Sequence, residues 1–239
     1  MTDLFDERDE HFLKMRQANP GLTYAQYQTD AELNSIRRGN DHATLGPKLR
    51  KYANWWEAGA ATFARLQRLS GLEASNRVVD YGCGSLRIGG HFIRFLDPDR
   101  YFGLDVTDGF FEMGRTLIGA ELEGEKRPRF SVLGEESLAE GAAFGADIVI
   151  SSAVSYHVHP SETAAYYGNL QRLTAKPGAR LLFDVSISDV ALRNRSWCWP
   201  LDFYVQSLPE LKFAGMDGGT HRAEGANYSM AVLTFERLR

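Results

Sequence analysis

Residues 77–90 read Arg-Val-Val-Asp-Tyr-Gly-Cys-Gly-Ser-Leu-Arg-Ile-Gly-Gly, an apolar run that ends in an acid and enters a glycine turn ahead of a helical segment. An apolar, β-branched run of this length reads as a buried strand. Glycines let the backbone take positive φ and approach another group closely, and a helix that opens behind the turn aims free N–H groups at whatever lies there. A second apolar run, Tyr101 to Asp105, also ends in a carboxylate. Two strand ends bearing acids, one of them with a glycine turn, therefore converge on one small ligand.

The rest of the chain repeats this grammar. Strand-like runs at Arg77–Tyr81, Tyr101–Asp105, Arg129–Leu133, Ala146–Ser151 and Arg180–Val185 alternate with helical segments at Ile88–Phe95, Phe110–Ile118 and Thr163–Leu173, with a Lys176-Pro177-Gly178 turn before the fifth run. Such alternation predicts a mostly parallel sheet with helices on both faces. The tail differs: Leu211–Met216 and Tyr228–Arg237 are strand candidates joined by a glycine-rich loop with no helix between them, which predicts a terminal antiparallel hairpin.

Up to about Leu72 no strand is expected. Tyr24–Tyr27 reads as a short helix and Thr44–Pro47 as a loop, and Trp56, Phe63, Leu66 and Leu69 recur at helical intervals, which predicts one amphipathic helix over Tyr52–Leu69 ended by Ser70-Gly71. A length of 239 residues holds one α/β core and a helical extension. The expected division is a helical cap over residues 1–72 and a ligand-binding domain over 73–239.

Charge and cysteine content remove several functions. The net charge is -4, and the concentrated basic stretch at Arg37, Arg38, Lys48, Arg50 and Lys51 lies among acidic neighbours, so no stripe exists to track nucleic-acid phosphates. Cys83 and Cys198 form no CxxC pair, which argues against a zinc knuckle or a disulfide framework and for a reducing compartment. The first residues are acidic and no apolar run reaches membrane-spanning length. The expectation is a cytoplasmic protein with no membrane or nucleic-acid partner.

A nicotinamide dinucleotide site also pairs a glycine turn with an acidic strand end, but its third glycine falls at Arg87 here. The segments Asp80-Tyr81-Gly82-Cys83-Gly84, Gly103-Leu104-Asp105-Val106, Ala146 to His157 and Leu173 to Phe183, in that order, instead resemble the motifs of class I S-adenosylmethionine-dependent methyltransferases. The resemblance covers Leu72 to the C-terminus. It implies a Rossmann-like three-layer α/β sandwich whose seven-stranded, mostly parallel sheet ends in an antiparallel hairpin, with S-adenosylmethionine as methyl donor.

On that resemblance, Gly82, Cys83 and Gly84 carry the main chain under the methionine and ribose, and Asp80 accepts from the cofactor's ammonium directly or through water. Asp105 binds both ribose hydroxyls and Val106 packs on the adenine. Glu135 or Glu136 takes the adenine amine, the choice between them being open, and Ser151 and Ser152 line the methionine side. Each of these glutamates serves equally well as a first-turn helix acid.

Methyl transfer from a sulfonium needs alignment and exclusion of water, and an alcohol acceptor additionally gains from a base. His157 in Tyr156-His157-Val158-His159-Pro160 is the first candidate for base or substrate orienter, with His159 second, against the reading that they only shape the pocket. No carboxylate motif accompanies this His-x-His pair, so no metal is expected. Trp55, Trp56, Tyr156, Trp197, Trp199 and Tyr204 either wall an acceptor pocket or pack the cap. These residues point to a small-molecule acceptor methylated at oxygen, with nitrogen or carbon acceptors, non-methylating chemistry on the same fold and a non-catalytic binding protein as the alternatives. A homodimer is open to such a chain.

Overall fold

The computed structural model describes residues 7–37, 55–57, 59–194, 196–218 and 228–238. Four short runs lie side by side as parallel strands: β1 (Val78–Tyr81), β2 (Tyr101–Asp105), β3 (Arg129–Val132) and β4 (Ile148–Ser151), followed by β5 (Arg180–Ile187). A two-stranded ribbon of β6 (Leu192–Asn194) and β7 (Ser196–Cys198) precedes the closing antiparallel pair, β8 (Leu211–Gly218) and β9 (Ser229–Arg237). The main sheet has the order β3-β2-β1-β4-β5-β9-β8, so β9 inserts between β5 and the edge strand β8. The seven-stranded α/β sheet and its terminal hairpin are as expected. The glycine-rich connection between β8 and β9, and Thr44–Pro47, lie outside the described residues.

Alternation along each strand feeds two cores. Val79 and Tyr81 face one side with Leu138 and Phe144 of α7 (Glu135–Phe144), Tyr166, Tyr167, Leu170 and Leu173 of α8 (Thr163–Leu173) and Tyr204 of α9 (Leu201–Gln206). Val78 faces the other with Leu66 of α3 (Ala60–Ser70), Phe92 and Ile93 of α4 (Gly89–Phe95), and Phe111 and Ile118 of α5 (Asp108–Ile118), with Leu122 of α6 (Ala120–Lys126) packed against them. Burying both faces is what a parallel sheet requires, because βαβ crossovers must lay helices over it.

The long helix expected over Tyr52–Leu69 is not one helix. A 3₁₀ turn at Trp55–Glu57 is separated from α3 by Gly59 in the left-handed region (φ 85), where a Cβ would stand 2.3 Å from the Arg87 carbonyl oxygen. Apolar spacing continues across the break and so conceals it. Trp56, Phe63 and Leu69 still pack with Leu66 against α4.

The cap begins with α1 (Glu7–Ala18) and α2 (Tyr24–Arg37), the second much longer than the four residues expected. Phe12, Tyr24 and Trp197 form a third buried cluster that seats these helices on the β6–β7 ribbon. Asp9 is fully buried between the Tyr24 hydroxyl (2.8 Å) and Arg193 Nε (3.3 Å), and the Arg193 guanidinium lies 4.0 Å over the Trp197 ring. The start of α2 donates the Tyr24 amide to Glu162, while Leu33 near its far end lies against Gly109 at the start of α5. Helix α2 thus bridges the segments that leave β4 and β2, on either side of β1.

Candidate functional site

The turn after β1 is hooked onto β2 by the amides of Gly82 and Cys83, which both donate to the Leu104 carbonyl (2.7 and 3.1 Å). Gly82 (φ 81) and Gly84 (φ 55) take the left-handed backbone, and so does Leu86 (φ 60). A leucine pays about 1–2 kcal/mol for that conformation, and its side chain, completely buried in the α4 core, offsets the cost. At the end of β2, Asp105 Oδ2 accepts the Gly84 amide at 2.7 Å and Oδ1 accepts the Val106 amide at 2.8 Å. The glycine turn and the second acid are therefore one hydrogen-bonded unit, as adjacent parallel strands permit. Burial pushes the Asp105 carboxyl up to about 6, with the amides of Gly84, Val106 and Thr107 opposing.

Asp80 stands elsewhere. Its carboxylate turns beneath α4, where Tyr101 Oη donates to Oδ2 at 2.7 Å, and burial pushes it up to about 7. The register explains this, since Asp80 pairs with Gly103 and so shares a face with Asp105 but sits two residues before its level. Expected as a partner of the ligand's ammonium, it is buried with Tyr101 on one oxygen and Gly89 of α4 above it. The Cys83 thiol is likewise packed inward: a Cβ on Gly103 would lie 3.0 Å from its Sγ, and burial raises its pKa well above the ordinary thiol range. Only the main chain of Cys83 is left to face a ligand.

On the other side of β1, Ser151 is fully buried, donating to the Tyr81 carbonyl (2.9 Å) and accepting from Tyr166 (2.8 Å), so its hydroxyl serves the sheet rather than the methionine side. Ser152 is half-buried and donates to Asp184 Oδ2 at 2.6 Å. Glu135 and Glu136 are exposed in the first turn of α7, whose N-terminus is fixed by Ser137 and Gly134, and Glu135 pairs with Arg172 of α8 at 2.7 Å. They follow β3, the neighbour of β2, with the Leu133 amide on the Asp105 carbonyl (2.7 Å).

The two histidines part company. Tyr156 and His157 form a 3₁₀ turn after β4, with His157 exposed and its ring edge-on to Tyr156 at 4.6 Å. Burial, helped by the Asp184 charge and opposed by Arg87, pushes the Tyr156 phenol up to about 12. His159 is sealed in the cap cluster, its ring 5.0–5.3 Å from those of Phe12, Tyr24 and Trp197, with Nδ1 accepting from the Ser161 amide. Burial holds it neutral, down to about 4. A residue so enclosed cannot meet an acceptor.

The aromatic wall is also mostly interior packing. Trp197 and Tyr204 are each 1% exposed, Tyr204 donating to the Ser186 carbonyl at 2.8 Å. Trp56 packs on α4, under the Arg94 guanidinium at 4.2 Å and edge-on to His91. Trp199 is half-buried and stacks on Phe203 at 4.4 Å, while the Trp55 side chain lies outside the described residues. Of the other expected acceptor residues, Tyr156 and His157 lie in the bend that leaves β4, and Trp56, Trp197, Trp199 and Tyr204 support the cap or core. Among the described residues no three acidic, histidine or cysteine side chains converge on a metal position. No helix among them is long and apolar enough to cross a membrane.

Asp184 was not foreseen. It follows the apolar run Leu181-Leu182-Phe183 on β5, level with Asp105 of β2 and two residues beyond the level of Asp80, and an acid at the end of an apolar run is the signal that points to it. Tyr101 and Leu86 carry no comparable sequence signal.

No protein-family model matches the chain, and no curated protein matches it in sequence. Solved structures match its fold. A 1,6-didemethyltoxoflavin-N1-methyltransferase of Burkholderia thailandensis, bound to its substrate and S-adenosylhomocysteine, aligns with a TM-score of 0.59 at 18% identity, over 89% of this chain and 90% of that one. The [4+2]-cyclase SpnF aligns with a TM-score of 0.58 at 14% identity, over 78% and 84%. A magnesium protoporphyrin IX methyltransferase of Synechocystis PCC 6803 with bound S-adenosylmethionine aligns at 0.53 and 18%, over 76% and 79%. The chain has the Rossmann-like fold of adenosylmethionine-dependent methyltransferases, and identities this low speak for the fold alone.

Proposed function

We propose that the chain is an S-adenosylmethionine-dependent methyltransferase acting at oxygen on a small-molecule acceptor. The observation that carries this reading is the bond between the Gly84 amide and Asp105, which joins the glycine turn of β1 to the carboxylate of β2. The donor set suits a nucleoside: a carboxylate accepts at about four lone-pair positions, so Asp105 can hold its backbone amides and still accept from a ribose hydroxyl. Gly82 to Gly84 would carry the methionine portion, Val106 the adenine, and Glu135 or Glu136 the adenine amine. The bound cofactor would supply an already activated methyl group.

The residues of this chain then have to orient the acceptor, exclude water and receive its proton. His157 is the group we assign as base, since it is exposed, follows β4 next to the turn and has no part in the cap cluster. The absence of a basic stripe supports a small acceptor, and two buried free cysteines support a reducing, cytoplasmic setting. Non-methylating chemistry is the second reading, because a protein named as a cyclase shares the fold at a similar score.

Calorimetry with S-adenosylmethionine and S-adenosylhomocysteine tests the shared premise. Wild type is expected to bind both and Asp105→Ala to bind at least tenfold more weakly; undiminished binding in the variant would remove the site from consideration. Release of label from methyl-labelled cofactor across a panel of hydroxylated, amino and carbon acceptors then separates methyl transfer from the cyclase-like alternative.

A further inference from the structure

The bend that leaves β4 has a fixing point on β5. Ala153 takes the left-handed backbone (φ 61), a conformation that strains a residue with a β-carbon and persists only where its surroundings enforce it. The enforcing group is Asp184. Its Oδ2 accepts the Ala153 amide at 3.0 Å and the Ser152 hydroxyl at 2.6 Å, and the Ser155 hydroxyl donates to its main-chain carbonyl. Side chain and main chain of one residue thus hold both ends of the bend.

These bonds are not needed to build the sheet. The register of β4 with β5 ends at Ser151 and Phe183, one step before the carboxylate, and Asp184 itself pairs along β9 with Val232. The bend instead meets the glycine turn. Val154, the residue after the left-handed alanine, places Cγ2 2.4 Å from where a Cβ on Gly82 would stand. The backbone of Gly82 is therefore in close contact with a side chain whose position follows from the conformation of Ala153. Gly82 is bare for that contact as well as for its positive φ.

We propose that Asp184 is a positioning residue of the donor site, which it shapes by holding Ala153 left-handed and so seating Val154 against Gly82. This inference rests on the reading of the turn as an adenosylmethionine site. Asp184 itself needs no contact with the cofactor, and its effect passes through Val154 to the turn whose Gly84 amide Asp105 holds. The same bend carries Tyr156 and His157, so its conformation also sets where the acceptor side begins.

The test is titration of S-adenosylhomocysteine into wild type, Asp184→Ala, Asp184→Asn and the double variant Asp184→Ala/Ala153→Gly, each well below its unfolding midpoint. Asp184→Ala is expected to weaken binding at least tenfold. Asp184→Asn keeps an oxygen for both donors and is expected to bind within threefold of wild type. Glycine removes the left-handed penalty at 153, so the double variant is expected to recover part of the loss. An Asp184→Ala protein with a lowered melting temperature and unchanged affinity would reduce Asp184 to a structural staple and overturn the proposal. Should Asp184→Ala fail to fold, Ser152→Ala decides, with a several-fold loss expected and unchanged affinity overturning it. Wild type that binds no S-adenosylhomocysteine would instead overturn the cofactor reading, and this inference with it.

Discussion

Tyr101 donates its hydroxyl to Asp80 at 2.7 Å directly beneath Gly89, the first residue of α4, where a Cβ would stand 2.3 Å from that hydroxyl and 3.2 Å from the Asp80 carboxylate. Sheet, helix and turn meet at this point with no room to spare. Gly89→Ala should therefore cost about 2–4 kcal/mol, from overpacking and from breaking a bond to a buried carboxylate. Urea midpoints of Gly89→Ala, Tyr101→Phe and the double variant test it. Removing the hydroxyl makes space for the methyl, so the double variant should lose clearly less than the two single losses added together, whereas simple additivity would contradict the packing.

The same carboxyl group gives a pH dependence whose sign follows from its environment. Burial raises Asp80 to about 7 and Asp105 to about 6, so the folded chain holds protons that the unfolded chain releases near pH 4. The folded state binds more protons than the unfolded over that window, and stability from these groups falls as pH rises from about 4 to about 7. Asp80→Asn keeps an acceptor for Tyr101 and removes the charge. It should melt higher than wild type at pH 8, by about 2 kcal/mol or about 4–8 °C, with the difference vanishing near pH 4. A difference that grows toward acid would reverse the assignment.

Much of this architecture is legible in the sequence because it is local. Apolar runs ending in acids give β1 and β2 to within a residue, and the spacing of Tyr166, Tyr167, Leu170 and Leu173 gives α8. What stays hidden is of two kinds. Backbone conformation breaks elements without disturbing apolar spacing, as Gly59 does between Trp56 and Phe63. Pairing across the chain joins residues that have no local reason to meet, as Asp9 and Arg193 do. Helix α1 escapes for the second reason, since it is charged nearly all round and is secured by Phe12 and a buried acid rather than by an apolar stripe. In the site, residue type shows that Asp80 is an acid at a strand end, but its depth along the strand, two residues before the level of Asp105, places it under α4 beside Tyr101.

For the acceptor side, His157 and His159 should respond oppositely to replacement. His157 is exposed, so His157→Ala should leave melting temperature and S-adenosylhomocysteine affinity unchanged while lowering the single-turnover methyl-transfer rate about 100-fold. An unchanged rate would dismiss it as base. His159→Ala, which empties part of the cap cluster, should destabilise by about 1–3 kcal/mol instead. Burial depresses the His159 pKa to about 4, so the stability it contributes is present above pH 6.5 and is lost as pH falls toward 4.

The cap should be separable from the sheet by a single substitution. Asp9 is buried with the Tyr24 hydroxyl and with Arg193, whose side chain is only 12% exposed, so the ion pair is shielded from solvent and its removal takes a carboxylate away from the cation over Trp197. Removing one member of a buried pair costs about 3–5 kcal/mol, because the partner's desolvation is no longer compensated. Here that cost falls on the contact between α1, α2 and the β6–β7 ribbon, while β1, β2 and β4 lie in cores to which Asp9 makes no contribution. In Asp9→Ala, hydrogen exchange over residues 7–37 and 192–198 should accelerate at least tenfold with strands β1, β2 and β4 unchanged, and trypsin should cut first within the cap. Equal acceleration throughout would show that cap and sheet unfold as one unit. Because α2 bridges the segments leaving β2 and β4, the same variant should release S-adenosylhomocysteine faster than wild type.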